Sequence, residues 1–87
     1  MTRKIEKPAL VSLIAQRTNR DTVLVEEIVD AMIEETYAAL KRGESVSLRN
    51  FGSFYVREER GSWVFRFNPS QRLRALFGWS STYRGEV

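Results

Sequence analysis

The sequence predicts an α+β fold in which two helices are followed by a three-stranded antiparallel sheet and a short third helix. Up to residue 41, apolar residues recur at three- and four-residue spacing, as in amphipathic helices. From residue 46 the spacing changes to two, as in strands that bury one face, and helical spacing returns after Pro69. The 87 residues form one domain. A domain of this size buries only roughly 60% of the surface of its unfolded chain, so a second copy would add considerably to its core.

The first two helices are predicted to form a helical hairpin. Pro8 marks the first turn of the first helix, because proline has no N–H to leave unsatisfied there. An apolar stripe follows, formed by Leu10, Val11, Leu13 and Ile14. Asp21 is the predicted N-cap of the second helix, and Gly43 ends that helix just after the cations Lys41 and Arg42. The polar side of the second helix is acidic and carries Glu26, Glu27, Asp30, Glu34 and Glu35.

The alternation after residue 46 predicts one register for the second and third strands. With Arg60-Gly61 at the tip, the facing pairs are Phe54 with Phe67, Val56 with Phe65, Tyr55 with Arg66, and Arg57 with Val64. Every inward pair is then apolar, whereas a slip by one residue places Val56 opposite Arg66 and mixes the two faces. A four-residue loop, Glu59 to Ser62, would keep the same pairing. We therefore expect the outer face of the sheet to carry Arg49, Tyr55, Arg57 and Arg66.

The third helix is predicted to begin at Pro69 and to stop near Gly78. Its apolar side is formed by Leu73, Leu76 and Phe77. Trp63 is expected to cover the edge of the core, and Tyr55 is expected to pack against its cross-strand neighbours. For Trp79 and Tyr83 the sequence pattern fits a place in the core and a place on the surface equally well.

Composition excludes several classes of site. The chain has no cysteine and no histidine, which rules out disulfides, thiolate zinc sites and histidine-based catalysis. The carboxylates Glu27, Asp30 and Glu34 lie at helical spacing and indicate a solvated helix face. We expect no catalytic residue, no cofactor, no metal and no small-molecule substrate. The longest apolar runs are shorter than the ~20 residues of a membrane span, and MTRKIEKPAL lacks the apolar core of a signal peptide, so we expect a cytoplasmic protein.

The net charge of +3 is distributed unevenly along the chain. Residues 1–21 carry +3, residues 22–48 carry −4 and residues 49–87 carry +4. All seven cations of the last segment are arginines, whose planar guanidinium groups donate paired hydrogen bonds to phosphate. The pattern fits either a phosphate-binding surface or a solvated one.

Several stretches resemble the HU/IHF family of bacterial histone-like DNA-binding proteins. VDAM, ALKRGESVSL and NFGSFYVRE resemble the family's VDAV, ALxKGxxVxL and GFGxFxVRE, and VFRFNPSQRLRAL resembles its VPAFKPGKALKDA. The resemblance runs without gaps from Lys7 to about Arg57 and assigns residues 1–79 to an HU/IHF-like DNA-binding domain and residues 80–87 to a C-terminal tail. It also places Phe51, Phe54 and Phe67 at the positions of the family's core aromatic trio.

The resemblance implies an intertwined dimer, either a homodimer or a pair with a related HU/IHF-type subunit. In the family, helical hairpins form the base, and two sheets form a saddle from which long β-arms reach into the DNA minor groove and kink the duplex. Here only ERGSW stands between VRE and VFRF, so a short hairpin replaces the arm. RFNP, ending at Pro69, is similar to the family's arm tip, but the helical spacing that follows favours Pro69 as the first residue of the third helix.

The resemblance also implies the candidate DNA contacts. Lys7 and Arg57 are retained from the family's basic positions and Arg74 replaces a lysine, whereas Glu59, Asn68 and Gln71 stand where cations are usual. Arg49 and Arg66 partly compensate, and the start of the third helix presents Ser70, Gln71 and free N–H groups to an anion. The predicted DNA-binding residues are Lys7, Arg49, Arg57, Arg66, Ser70, Gln71 and Arg74.

Two functions from different classes follow. The first is a non-enzymatic, nucleoid-associated protein that binds double-stranded DNA through phosphate contacts, with little sequence preference and little sharp bending. The second is an arm-less interaction module that serves as a heterodimer partner or a protein-docking dimer with weak or no DNA binding. The missing arm, the acids Glu58 and Glu59, and the aromatic residues Trp63, Trp79 and Tyr83 favour the second.

Overall fold

The computed structural model describes residues 3–78 and confirms the predicted order of elements. The helices are α1 (Lys7–Thr18), α2 (Thr22–Lys41) and α3 (Gln71–Leu76), and the strands are β1 (Val46–Leu48), β2 (Gly52–Glu59) and β3 (Ser62–Pro69). Within this part of the chain, no helix combines the length and apolar character needed to cross a membrane. Trp79, Tyr83 and the predicted tail lie outside the described residues.

The chain divides into two compact units, and the first, Met1–Glu35, contains α1 and most of α2. Pro8 lies in the first turn of α1, as predicted. The buried core of this unit consists of Val11, Ala15 and Val25, with Ile14 and Val29 packed against it. The predicted apolar stripe of α1 is therefore only partly buried, and Leu10 and Leu13 keep 46% and 51% of their surface exposed.

The N-terminal cap of α2 is the predicted one. Asp21 Oδ2 accepts hydrogen bonds from the backbone N–H groups of Val23 at 3.1 Å and Leu24 at 3.3 Å. These bonds satisfy two donors of the first turn that have no partner within the helix. The predicted acidic residues of α2 are all exposed.

The C-terminal end of α2 opens the second unit, Thr36–Val87. The Gly43 N–H donates to the Leu40 carbonyl and the Glu44 N–H donates to the Ala39 carbonyl, both at 3.0 Å. This pair of bonds is the Schellman arrangement, with Gly43 in the left-handed region at φ 81°. The predicted glycine end of the helix is confirmed.

The strands form an antiparallel sheet in the order β1-β2-β3, and the predicted register of β2 and β3 is confirmed. The observed pairs are Phe54 with Phe67, Val56 with Phe65, Tyr55 with Arg66, and Arg57 with Val64. Pairing continues to Glu59 opposite Ser62, so the loop has only two residues, Arg60 and Gly61. Their φ angles of 55° and 81° are both positive, as a type I′ turn requires. The hairpin is therefore short and closes at Arg60 and Gly61.

Two expectations about the ends of the sheet are wrong. Pro69 is the last residue of β3, opposite Gly52, and not the first residue of α3. Ser70 instead caps α3, because its Oγ accepts a hydrogen bond from the Leu73 N–H at 3.1 Å. Arg49 lies in the turn between β1 and β2 rather than on the outer face of a strand.

The inner face of the sheet carries an aromatic cluster. The Phe54 ring centroid lies 4.9 Å from that of Phe67 and 5.9 Å from that of Phe65, and the Phe51 centroid lies 5.5 Å from that of Phe67. An ideal Cβ on Gly52 would come within 2.6 Å of the Asn68 carbonyl oxygen, so only glycine fits where β3 approaches β2 this closely.

Trp63 does not cover a core of its own chain. Its surface is 72% exposed, and it lies beside an open groove that is also lined by Tyr37, Leu40 and Val56. The expectation that Trp63 seals the edge of the core is therefore wrong for the single chain.

Candidate nucleic-acid interface

The outer face of the sheet carries two of the predicted DNA contacts, Arg57 on β2 and Arg66 on β3. Because Tyr55 pairs with Arg66 and Arg57 pairs with Val64, all four side chains lie on one face. The arginine side chains keep 59% and 36% of their surface exposed. The Arg57 guanidinium is therefore accessible to a ligand that lies along this face, whereas Arg66 is half-buried and its Nε has no hydrogen-bond partner among the described residues.

Glu59 also lies on the outer face, two residues beyond Arg57 on β2. Arg57 Nε donates a hydrogen bond to Glu59 Oε2 at 2.5 Å. Arg66 Nη2 lies 3.2 Å from each of the two carboxylate oxygens of Glu59. These three residues, Arg57, Glu59 and Arg66, are called the Arg-Glu-Arg cluster below. Two cations and one anion leave it with a net charge of one positive unit.

The ion pairs of the Arg-Glu-Arg cluster change the protonation equilibria of its members. The hydrogen bond from Arg57, followed by the one from Arg66, lowers the pKa of the Glu59 carboxyl. The hydrogen bond to Glu59 in turn raises the pKa of Arg57. Glu59 is therefore ionised at neutral pH and occupies donors on both arginines. Ion pairs this exposed are weak, so a phosphate with good geometry can displace the carboxylate.

The sequence analysis treated Glu59 only as an acidic residue that stands where a cation is usual. It did not place Glu59 on the outer face of the sheet. The two-residue period of the strand contained the needed signal. Since Tyr55 and Arg57 face outward, Glu59 must face outward too, whereas Glu58 falls on the inner face opposite Trp63. Applying the confirmed register to the acids would have placed Glu59 beside the arginines.

The candidate contacts around α3 are engaged within the second unit. Arg74 Nη2 donates to Asn68 Oδ1 at 3.0 Å, and Arg74 Nε is buried without a partner among the described residues. The Ser70 hydroxyl accepts from the Leu73 N–H, so it already serves its own helix. Gln71 is exposed as the first residue of α3, which has only six residues. Of these three predicted contacts, Gln71 is the exposed one, whereas Arg74 is half-buried and hydrogen-bonded to Asn68.

Arg49 and Lys7 have contrasting surroundings. Arg49 is exposed in the turn after β1, and no salt bridge joins it to another residue within 3–78. Lys7, in the first unit, forms salt bridges from its Nζ to Asp30 at 2.7 Å and to Glu26 at 3.6 Å. The hydrogen bond to Asp30 raises the pKa of Lys7. Lys7 is thus paired with the acidic face of α2.

The structure therefore brings together Arg57 and Arg66 on the outer face of the sheet, and Ser70, Gln71 and Arg74 at α3. Among residues 3–78 no group of three or more acidic side chains is arranged to hold a metal ion. What the outer face offers chemically is a pair of adjacent guanidinium groups, a tyrosine on the same face, and one competing carboxylate.

Comparison with known proteins gives consistent matches. A family model described as "Bacterial DNA-binding protein" matches residues 5–63. Integration host factor subunit alpha of Bordetella avium is 39% identical over 57 residues, which cover 66% of this chain and 49% of that protein. DNA-binding protein HU of Xylella fastidiosa is 37% identical over 54 residues, covering 62% of this chain and 57% of that protein. The chain thus spans about half the length of the curated relatives it matches.

The fold is matched by solved structures as well. HU from Thermotoga maritima superimposes with a TM-score of 0.74 at 29% identity, over 84% of this chain and 98% of that one. The family match covers more than half of the chain, and the fold agrees with it. This chain therefore belongs to the HU/IHF family of bacterial DNA-binding proteins.

Proposed function

We propose that this chain is a non-enzymatic, histone-like protein that binds duplex DNA through phosphate contacts. The observation that carries the proposal is the placement of Arg57 and Arg66 side by side on the exposed outer face of an HU-like sheet. The relatives support it, since the Xylella protein is named for DNA binding. The family is bacterial, and we place the protein in the cytoplasm, associated with the nucleoid.

We infer that the protein reads shape and phosphate rather than base sequence. Arginine forks fit phosphate oxygens, and such contacts fix position on the duplex without carrying sequence information. The hairpin closes at Arg60 and Gly61, so it offers no long ribbon that could enter the minor groove and wedge between bases. We therefore expect little sequence preference and little sharp bending.

The remaining predicted contacts take secondary roles in this proposal. Arg49 adds a cation beside the sheet, Gln71 adds a polar group at the start of α3 and Arg74 adds a cation in its last turn. Lys7 must leave Asp30 before it can bind a phosphate. Ser70 is retained as a helix cap, because its hydroxyl is already bonded to the Leu73 N–H.

We propose further that the functional unit is a dimer, with a second copy of this chain or with a related HU/IHF-type subunit. Only Val11, Ala15 and Val25 are buried hydrophobic residues in the described part of the single chain. Many large apolar side chains stay exposed there, and they include Ile28, Met32, Tyr37, Phe51, Trp63, Phe65, Leu76 and Phe77. Soluble monomers rarely expose large apolar patches, so a second chain is expected to cover much of this surface.

A second candidate function is a protein-docking module with weak or no DNA binding. Trp63 favours it, because this residue is 72% exposed beside the groove lined by Tyr37, Leu40 and Val56. The Glu59 carboxylate, which neutralises part of the arginine charge, favours it too. The two candidates differ in whether the arginines bind DNA.

The distinguishing experiment is a titration of a fluorescent duplex with the purified protein at several salt concentrations. Arg57→Ala and Arg66→Ala test the outer face. Arg42→Ala is the matched control, because Arg42 has the same side-chain exposure of 59% as Arg57 and also pairs with a glutamate, Glu44. Arg42 lies at the end of α2, outside the sheet.

The proposal requires binding that weakens steeply with salt and that weakens further in the Arg57 and Arg66 variants, while Arg42→Ala has a smaller effect. For each phosphate that a variant no longer neutralises, the slope of log K against log salt should become shallower by about 0.9. Binding that is absent at low salt, or unaffected by both sheet substitutions, would favour the docking module instead.

A further inference from the structure

We propose that Glu59 sets the DNA affinity of this protein by competing with phosphate for Arg57 and Arg66. The inference rests on the proposed function, which it deepens by naming the residue that limits binding. The Glu59 carboxylate thus occupies the arginine donors that a DNA phosphate would use. It lies on the face where DNA is proposed to bind, and its carboxylate contacts both arginines.

The positions of the bonded atoms indicate that Glu59 competes with phosphate for the arginines rather than holding them in place for DNA. A guanidinium binds a phosphate side-on through Nε together with a neighbouring terminal nitrogen. In Arg57 the Nε is already donated to Glu59 Oε2. In Arg66 the Nη2 is directed at both Glu59 oxygens. A side-on phosphate contact by Arg57 therefore requires the carboxylate to give up Nε. Arg66 Nε is buried without a partner among the described residues, so Arg66 would bind a phosphate end-on through its terminal nitrogens, which requires the carboxylate to give up Nη2.

The exposed fractions of the three side chains also favour competition between Glu59 and phosphate. The Glu59 side chain keeps 30% of its surface exposed, against 59% for Arg57 and 36% for Arg66. The carboxylate thus sits between the two cations and is ionised at neutral pH. A phosphate that replaces it still has a negative charge as its neighbour. Both the broken ion pairs and this repulsion oppose DNA binding.

Glu58 provides the matched control, since it is the same residue type one position away. It lies on the opposite face of β2, opposite Trp63, and no salt bridge joins it to a described residue. Glu58→Gln and Glu59→Gln change the net charge by the same amount. Only Glu59→Gln removes a negative charge that pairs with the arginines and so weakens its hold on their donors.

The test is a titration of a fluorescent duplex with wild type, Glu59→Gln and Glu58→Gln across several salt concentrations, with circular dichroism to verify folding. We expect Glu59→Gln to bind about three- to tenfold more tightly and its salt slope to steepen by about 0.9 for each additional phosphate that it neutralises. Glu58→Gln should stay within about twofold of wild type with an unchanged slope. In an Arg57→Ala, Arg66→Ala background, Glu59→Gln should lose most of its effect.

Three outcomes would overturn the inference while leaving the proposed function intact. Equal tightening by Glu58→Gln and Glu59→Gln would mean that net charge alone matters. Unchanged binding by Glu59→Gln would mean that Glu59 does not compete, and weaker binding would mean that it positions the arginines for DNA. Binding by Glu59→Gln but not by wild type would support the inference and count against the proposed function. If neither folded protein bound DNA at low salt, both proposals would fail.

Discussion

Arg66 Nη2 lies 3.2 Å from both carboxylate oxygens of Glu59, which joins strand β3 to the far end of strand β2 across the outer face of the sheet. The same carboxylate accepts a hydrogen bond from the Nε of Arg57. One glutamate therefore links the two strands of the hairpin and neutralises part of the arginine charge that is proposed to bind DNA. In our proposal, the competition between this internal carboxylate and an external phosphate sets the DNA affinity.

DNA affinity should rise as the pH falls through the titration of Glu59. In the free protein the arginines hold the Glu59 pKa below its ordinary value. In the complex, phosphate replaces Glu59 as the partner of these arginines and brings negative charge close to the carboxyl. The Glu59 pKa is therefore higher in the complex than in the free protein, so DNA binding is accompanied by proton uptake. Affinity should therefore increase as the pH falls into the range where the Glu59 carboxyl titrates. Duplex titrations at several pH values check this, and Glu59→Gln should flatten that part of the profile. A Glu59→Gln profile identical to wild type would contradict it.

Binding should bend DNA only slightly, because the β2–β3 hairpin closes at Arg60 and Gly61. Sharp kinks by proteins of this type require a wedge inserted between base pairs. A fluorescence resonance energy transfer pair on the two ends of a short duplex should change little when the protein saturates it. A family member with a full arm serves as the positive control. A large change in transfer would show that the protein bends DNA by another part of its surface.

The hairpin turn should become more stable when Arg60 is replaced by asparagine. Arg60 holds φ 55° in the left-handed region, which asparagine adopts more easily than arginine. We expect Arg60→Asn to raise the free energy of unfolding by about 0.5–1 kcal/mol in urea denaturation. Gly61→Ala should have the opposite effect, because Gly61 has φ 81° and a Cβ there meets no neighbour that could compensate. A less stable Arg60→Asn variant would indicate that the arginine side chain stabilises the turn.

The purified protein should have the mass of two chains. The exposed inner-face residues Phe51 and Phe65, at 47% and 56%, are too large to remain in water without a covering surface. Multi-angle light scattering at two concentrations measures the mass directly. A stable monomer at micromolar concentration would contradict both the dimer and the reason given for the exposed apolar surface.

The sequence predicted the parts of the fold that depend on local patterns. The caps of α2 at Asp21 and Gly43 follow from residue chemistry, and the hairpin register follows from keeping Phe54 and Val56 on the apolar face. Pro69 was misplaced because proline is favoured at a helix start and at the end of an edge strand alike. The pairing of Pro69 with Gly52 and the bond from the Leu73 N–H to Ser70 Oγ decide between them.

The candidate site was predicted only in part, for two physical reasons. The outward direction of Arg57 and Arg66 follows from the strand period, but the partner of each long side chain depends on its rotamer and on the twist of the hairpin. Ion pairs such as Arg66 with Glu59 therefore require coordinates. The exposure of Leu10 and Trp63 could not be anticipated either, because a sequence pattern marks a face as apolar without saying whether its own chain covers it.

The slope of log K against log salt for binding of a duplex, in wild type and in the Arg57→Ala, Arg66→Ala double variant, tests the central claim most directly. Wild type should bind at low salt with a steep negative slope. The double variant should bind more weakly, with a slope shallower by about 0.9 for each phosphate that it no longer neutralises. Equal slopes and affinities for the two proteins would show that the outer face of the sheet is not the DNA-binding surface.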